Sequence, residues 1–465
     1  MKRMMLKRYT LTTLLFFPLV NVSASHVVGD TIRLNLDKAL EIALSENPTI
    51  KVADQEIEKK KYARKGSYAA LFPQVNFTMD YSRTLKKQVM YMDMDLDDMG
   101  DNLPPGMDVS AMDKGFEVGR NNNWNTGFSA AMPLVNVSLW KSLSISGDEV
   151  DLAVEKARSS RIAMRNEVKK SFYGALLAQD SYEVFKRSYD NAVENYQDIK
   201  QKFDQGLVAE YDLIRADVMV KNTEPNMLQA ENSCSLSLWR LKALMGMELD
   251  LPISCVGKLT DYKNELFADY VSTDTLLARN TELKQLALQK EQLHKTLQMR
   301  KFDYLPTLSL TGLYQWNSMN NDFKFHDYRW NPYSVIGLSV KIPIMSGGDK
   351  FYKVRQARIT LDQLSLQRDD TKRNLQLVVK QHMDNMKTCV KQFDAAQKGV
   401  EQAEKGYLIA QKRYDTGAGT LLELNDAELA LTQARLNFNQ SIYDYMVSKS
   451  ELEKVLGNGV NEAAE

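Results

Sequence analysis

The sequence is most constrained by a helical seam that it writes twice. Tyr182, Phe185, Tyr189, Ala192, Tyr196, Ile199 and Phe203 recur at alternating spacings of three and four, the pattern of a helix that lays one apolar stripe along a partner helix. A shift of 211 positions gives Phe393, Ala396, Val400, Ala403, Tyr407, Ala410 and Tyr414, the same stripe in the same phase. Each seam lies in a longer helical pattern, about 140–205 and about 350–415, so each helix is ~90 Å long at 1.5 Å per residue. No globular core has that dimension, so the chain must build something tall.

The rest of the sequence repeats as well, and a repeat of this size decides the fold. KFDQGLVAEYDLIRA (202–216) reappears as KRYDTGAGTLLELNDA (412–427), and RLKALMG (240–246) as ELEKVLG (451–457). At a larger offset ENPTIKVADQEIE (46–58) answers RNTELKQLALQKE (279–291), and LFPQVNF (71–77) answers YLPTLSL (304–310). The offset changes because the first copy carries about 22 extra residues, which fall within 84–123. Return helices run from the duplicated turns over 209–246 and 420–457, and shorter helices precede the Pro-marked segments at 36–70 and 272–303. Each copy therefore reads helix, strand, strand, long helix, turn, helix. The first copy spans 25–246 and the second 272–457, with connections at 247–271 and 458–465.

The strands, about 73–83, 124–134, 305–316 and 333–344, alternate apolar and polar residues. Val75, Phe77, Met79 and Tyr81 are interleaved with Asn76, Thr78 and Asp80, and Ile336, Leu338 and Val340 with Gly337 and Ser339. Each is close to the ~9–11 residues that cross a bilayer as a tilted strand. Trp124, Trp316, Trp330 and Tyr333 sit near strand ends, as interfacial aromatics do. A soluble sheet with one face on a core has the same alternation, but such a sheet gives helices ~90 Å long nothing to do. Four strands cannot close a barrel. Three chains would supply twelve and enclose water, so a homotrimer with its helical hairpins in a ring is the economical arrangement.

Composition narrows the function. Basic residues at Lys2, Arg3, Lys7 and Arg8, an apolar run and Val22-Ser23-Ala24 read as a signal peptide over 1–24. No later stretch has the length of a membrane-spanning helix. The 60 basic and 60 acidic residues balance, which argues against nucleic acid as a partner. Three cysteines are too few for a disulfide scaffold, although Cys234 and Cys255 could pair. The four histidines stand apart, with no zinc-protease, phosphate-loop or nucleophile-elbow motif. No enzyme, cofactor or metal site is expected. The Met/Asp-rich segment MYMDMDLDDMGDNLPPGMDVSAMD has thioethers that suit Cu(I) or Ag(I) and carboxylates that suit hard cations, but reads first as a solvated loop outside the barrel.

The duplicated plan, LFPQV and YLPTL, AMPL and KIPI followed by SGG, and above all FDQGLVAEYDLIRA and YDTGAGTLLELNDA, resemble the TolC-like outer-membrane efflux family along essentially the whole mature chain. The resemblance implies a mainly α fold with a β-barrel: a trimeric twelve-stranded outer-membrane barrel continued by a periplasmic α-helical barrel. It implies passive export, with a periplasmic membrane-fusion adaptor and an inner-membrane pump, RND-type foremost, as partners. The duplicated turns then lie at the periplasmic tip. Gly206 and Gly417 suit the left-handed residue that ends a long helix, and Thr420 with Glu423 forms a capping box. The acids also complement a helix N-terminus without any further role. Beyond that, the resemblance implies an aperture lined by Glu423 and Asp426, a lock involving Asp212 and Tyr414, and adaptor docking at Gly206, Leu207, Gly417 and Ala418. The sequence departs from some relatives at Gly419, where they carry a basic residue. A type I protein-secretion duct and, from a different class, a periplasmic adaptor or scaffold are the alternative readings.

Overall fold

The computed structural model describes residues 31–91, 115–267 and 276–458. The signal segment, most of the Met/Asp-rich loop and the tail beyond 458 lie outside the described residues. In order, the elements are β1 (Ile32–Leu34), α1 (Leu36–Glu46), α2 (Pro48–Tyr68), β2 (Gln74–Arg83), β3 (Gln88–Met90), β4 (Phe116–Val118), β5 (Asn122–Val135), α3 (Val137–Asp204) and α4 (Glu210–Met245). They continue with β6 (Ile253–Cys255), α5 (Thr281–Phe302), β7 (Thr307–Asn320), β8 (Asn331–Lys341), α6 (Asp349–Asp415) and α7 (Leu421–Leu456). Short 3₁₀ turns occupy 69–71, 259–267, 276–279 and 325–327.

The 68 residues of α3 and 67 of α6 make rods ~100 Å long. The helix layer has two tiers. In the lower tier α4 lies on α3, α3 on α7 and α7 on α6; in the upper tier the order is α2, α3, α5, α6. The two long helices run through both tiers, and each short helix covers one.

Where two short helices meet, the sequence builds one joint twice. Asn47 caps α2 by accepting from Thr49 N at 2.7 Å, and its amide donates to Leu244 O at 2.7 Å in the last turn of α4. Asn280 caps α5 by accepting from Leu283 N at 2.9 Å and donates to Val455 O at 2.6 Å in α7. Each asparagine is buried and satisfies an orphan donor of one helix and an orphan carbonyl of another. The abutting helix ends at a left-handed glycine, Gly246 (φ 70°) or Gly457 (φ 71°). A Cβ on Gly457 would stand 2.1 Å from Arg279 O, so backbone contact as well as conformation requires glycine there. The single helix anticipated over 36–70 is thus two helices broken at Asn47-Pro48, because Pro48 holds Asn47 in an extended conformation (ψ 127°).

The main core surrounds this level. Phe172 and Leu176 of α3, Leu241 and Met245 of α4, and Ile442, Tyr445 and Leu452 of α7 are buried together with Leu34, Ile253 and Leu259 from the β1–β6 belt. β1 and β6 pair in parallel, Ile32 opposite Ile253. Burying an aliphatic or aromatic side chain of this size contributes ~1.5–3 kcal/mol. Beside the core, Asn166 donates to Glu451 at 3.0 Å, Lys170 to the same oxygen at 2.8 Å, and Ser450 to Asn166 at 2.8 Å. Burial alone would raise the Glu451 carboxyl, but the bonds from Lys170 and Asn166 and the charge of Lys454 outweigh it and hold it at about 2.

The sheet stands apart from the helices. Its order is β2-β5-β7-β8, all antiparallel, which leaves β2 and β8 as free edges. Register gives the sheet one mainly apolar face and one mainly polar face, with Leu313, Tyr333 and Val335 interspersed on the polar one. One carries Val75, Phe77, Met79 and Tyr81 beside Ala130, Phe128, Thr126 and Trp124, then Leu310, Tyr314 and Trp316 beside Leu338 and Ile336. The other carries Gln74, Asn76, Thr78 and Asp80 beside Ser129 and Asn125, then Thr311, Gln315 and Asn317 beside Ser339 and Asn331. The apolar face is uncovered: Phe77 is 58% exposed, Leu338 68% and Ile336 84%. The fourth strand ends at Lys341, and Ile344 and Met345 beyond it are open to solvent. β3 and β4 pair as a small hairpin at the root of the Met/Asp-rich loop.

Two outcomes test this account of the helix layer. Asn280→Ala strands a buried carbonyl and removes a cap, so the unfolding midpoint read by helical circular dichroism falls by an amount equivalent to ~1–3 kcal/mol, and Asn47→Ala behaves alike. For Glu451 the folded value lies below that of an unfolded glutamate, so its contribution is whole above pH ~4.3 and is lost as pH falls toward about 2. Glu451→Gln is therefore less stable at neutral pH and shows a flatter loss of stability between those limits.

Candidate functional site at the hairpin tips

At the end remote from the sheet, both hairpins turn through the same backbone device. The end of α3 closes with Gly206 N donating to Phe203 O and Leu207 N to Lys202 O, both at 2.8 Å, around Gly206 at φ 72°. The end of α6 closes with Gly417 N on Tyr414 O at 3.0 Å and Ala418 N on Arg413 O at 2.8 Å, around Gly417 at φ 73°. Positive φ is the reason for glycine, since a Cβ at either position would meet nothing within 4 Å. Gly206, Leu207, Gly417 and Ala418 are all exposed at the extremity, with Leu207 70% so.

The returning helices start differently. Thr420 caps α7 by accepting from Glu423 N at 3.2 Å, whereas Ala209 gives α4 no side-chain cap. Acids in the first turn, Glu210 and Asp212, compensate electrostatically in α4. Glu423 and Asp426 are both exposed on α7, one turn apart. Asp426 has no ion pair among the described residues. Glu423 lies 3.5 Å from Arg413 Nη2, which also donates to Ala418 O at 3.2 Å.

Tyr414 is half-buried in a small apolar cluster with Ile199, Ala216, Leu421, Tyr196, Val208 and Leu213, drawn from both hairpins. Lys202 Nζ sits 5.3 Å from its ring centroid and 2.5 Å from Asp198 Oδ2. Burial raises the Tyr414 hydroxyl, Lys202 opposes, and Asp198 and Asp212 add to the rise. Asp212 is thus within electrostatic reach of Tyr414, but no hydrogen bond joins the two among the described residues. Beside the apolar cluster, the charged side chain of the first hairpin that contacts the Tyr414 ring is Lys202 instead.

Lys202 and Arg413 occupy equivalent places in the two repeats and do different work. Lys202 reaches across to the second hairpin; Arg413 folds back on its own turn. Sequence reasoning missed both, though the signal was present in KFDQG and KRYDTG: a cation four residues before the glycine, within reach of the last turn. Gly419 carries no side chain that could substitute for either. A Cβ there would lie 3.0 Å from Arg413 Cβ, so the glycine makes room for that arginine.

Other chemistry is sparse. Among the described residues no group of three or more His, Cys, Asp or Glu could hold a metal ion. Cys234, Cys255 and Cys389 are free thiols, and burial pushes Cys255 up to about 12. No described helix is long and apolar enough to cross a membrane.

Comparison with known proteins places this geometry. The family model described as outer membrane efflux protein matches residues 39–247 and 273–458. The chain is 22% identical over 370 residues to outer membrane protein TolC of Vibrio cholerae serotype O1, covering 77% of this chain and 81% of that protein. It is 23% identical over 429 residues to the alkaline protease secretion protein AprF of Pseudomonas aeruginosa, covering 91% and 84%. Its fold matches the crystal structure of the Campylobacter jejuni CmeC outer membrane channel at a TM-score of 0.72 and 20% identity, over 92% of this chain and 87% of that one. Because the family model spans both repeats, with their seams, strand pairs and tips, the chain belongs to the outer membrane efflux protein family.

Proposed function

We propose that three copies of this chain form a continuous duct, in which twelve strands close a barrel through the outer membrane and the helix layers close a tube below it. The observation that carries this reading is the sheet with one uncovered apolar face and two unpaired edges, continuous with rods ~100 Å long. Water cannot satisfy those edges inside a bilayer, but a neighbour's β8 beside β2 can. The apolar face then meets hydrocarbon and the Asn, Ser, Thr and Gln face lines a wet lumen.

In this arrangement the protein does no chemistry. It holds a passage open between two compartments, and an inner-membrane pump, RND-type in the leading form, supplies the work. A periplasmic membrane-fusion adaptor joins the two by docking at the exposed tips around Gly206, Leu207, Gly417 and Ala418. Threefold symmetry would bring Glu423 and Asp426 into stacked acidic rings that favour cations. Tyr414 with Lys202, and with Asp212 at longer range, would hold the second hairpin against the first and so keep the aperture narrow. Arg413 would offset the Glu423 ring from within each chain. A duct for polypeptide secretion is the second reading, favoured by the likeness to AprF over 91% of this chain. Loss of the gene would separate the two: small-molecule susceptibility for the efflux duct, a missing secreted polypeptide for the other.

Cysteine pairs scanned along β2 and β8, in a chain freed of its native thiols, are expected to cross-link three chains in outer-membrane fractions; a ladder confined to monomer would reject the barrel. In planar bilayers, Glu423→Gln with Asp426→Asn should lessen block by multivalent cations by about tenfold or more, on the order of 1.4 kcal/mol, whereas Arg413→Ala should deepen it. Lys202→Met should raise single-channel conductance. Conductance and block unchanged in all three folded variants would leave the tip acids as helix caps alone.

A further inference from the structure

The loop between β7 and β8, residues 321–330, does not stand clear of the sheet. It folds over the far-rim end of the apolar face. Phe323 lies 6.1 Å from Tyr81, Phe325 packs edge-on to Trp124 at 5.1 Å, and Phe325 stacks on Tyr328 at 4.9 Å. Polar bonds fix it there. The Tyr328 hydroxyl and the Asn122 amide both donate to Asp322 O, at 2.5 and 3.0 Å, Asn121 N donates to Asn321 Oδ1 at 3.0 Å, and the Tyr81 hydroxyl donates to Asn122 Oδ1 at 3.0 Å. Asn122, Ser318 and Tyr328 are buried beneath or within it.

A loop seated only to seal polar backbone would turn polar groups outward. Here Phe323 and Phe325 stay about half exposed, 54% and 49%, on the side that continues the apolar face. Lys324 stands between them and Arg329 follows Tyr328; both are exposed, and neither has an ion pair among the described residues. Of the acids nearby, Glu117 lies 3.4 Å from Lys87, Asp327 lies 3.2 Å from the His326 ring, and the exposed Asp322 carboxylate accepts from Lys324 N at 3.5 Å, leaving the Lys324 ammonium itself without an acidic partner among the described residues. Arg83 at the end of β2 and Arg120 just before β5 add exposed positive charge at the same rim. Aromatics at the hydrocarbon boundary with cations one step beyond them match the depths of acyl chains and headgroup phosphates.

We propose that the β7–β8 loop is a docking surface for a phosphate-bearing lipid of the outer leaflet, with Phe323 and Phe325 against its acyl chains and Lys324 and Arg329 on its phosphate. This rests on the membrane orientation given under the proposed function. The interaction would fix the height of the barrel in the bilayer and gather anionic lipid around its rim.

The test uses the assembled full-length protein in nanodiscs of phosphatidylcholine with about one-tenth phosphatidic acid, and native mass spectrometry counts the lipids retained after mild delipidation. Wild type should enrich phosphatidic acid over its bulk share, by about fivefold for each cation engaged, and lose the preference in ~1 M salt. Lys324→Gln with Arg329→Gln should abolish the preference while the assembly stays intact; Phe323→Ala with Phe325→Ala should lower retention of both lipids. An intact trimer with no headgroup preference, or a double-glutamine variant with the full preference, overturns this proposal and leaves the duct standing. Failure of the chain to assemble in the bilayer overturns both.

Discussion

A sheet that its own chain leaves bare governs this structure. Four antiparallel strands sort their side chains so that one face is mainly apolar and the other mainly polar, and neither face is covered by helix. In water such an object would aggregate through its edges and its greasy side. The cost is removed only where hydrocarbon replaces water on one face and other strands occupy the edges. The remainder of the molecule is arranged to be compatible with that requirement: long helices leave the sheet in one direction, and the connections that bear polar rims leave it in the other.

The helix layer meets a second constraint, that of covering rods ~100 Å long with shorter pieces. Exposed helix ends inside a packed layer would leave carbonyls and amides without partners. The chain answers with Asn47 and Asn280, each bonded at once to its own helix and to the end of another, and with glycines that let the abutting ends approach. Duplication explains why the answer is the same in both halves. The repeats diverge at the tips, where Lys202 and Arg413 stand in equivalent positions and take different partners.

Much of the architecture was legible in the sequence because it is written in periodicity. Spacings of three and four announced the seams, alternation announced the strands, and a second copy of each raised the signal above what one alone would carry. The apolar assignment of Val75, Phe77, Met79 and Tyr81 followed from alternation alone. The break at Asn47 was less visible, since Pro48 sits comfortably in a first turn and the apolar pattern continues through it. The site was legible in part. Glycine at the two turns and the Thr420 cap follow from local stereochemistry, but the partner of Tyr414 depends on how two hairpins lie side by side. That is a tertiary fact, and it selected Lys202 over Asp212 as the direct contact. The aromatic loop at the far rim was equally hidden, because residues 321–330 have no period and their position depends on what Trp124 and Tyr81 leave open.

The joints at Asn47 and Asn280 each break the layer where a short helix of one tier meets a short helix of the other, and among the described residues α3 and α6 alone run through both tiers. Below that level, α4 and α7 are therefore separate pieces, each abutting the tier above through a glycine turn and an asparagine amide rather than built into a longer beam. Splitting the layer there lets helices of ordinary length cover two long rods while no end inside the packing is left without a hydrogen-bond partner for its capped groups.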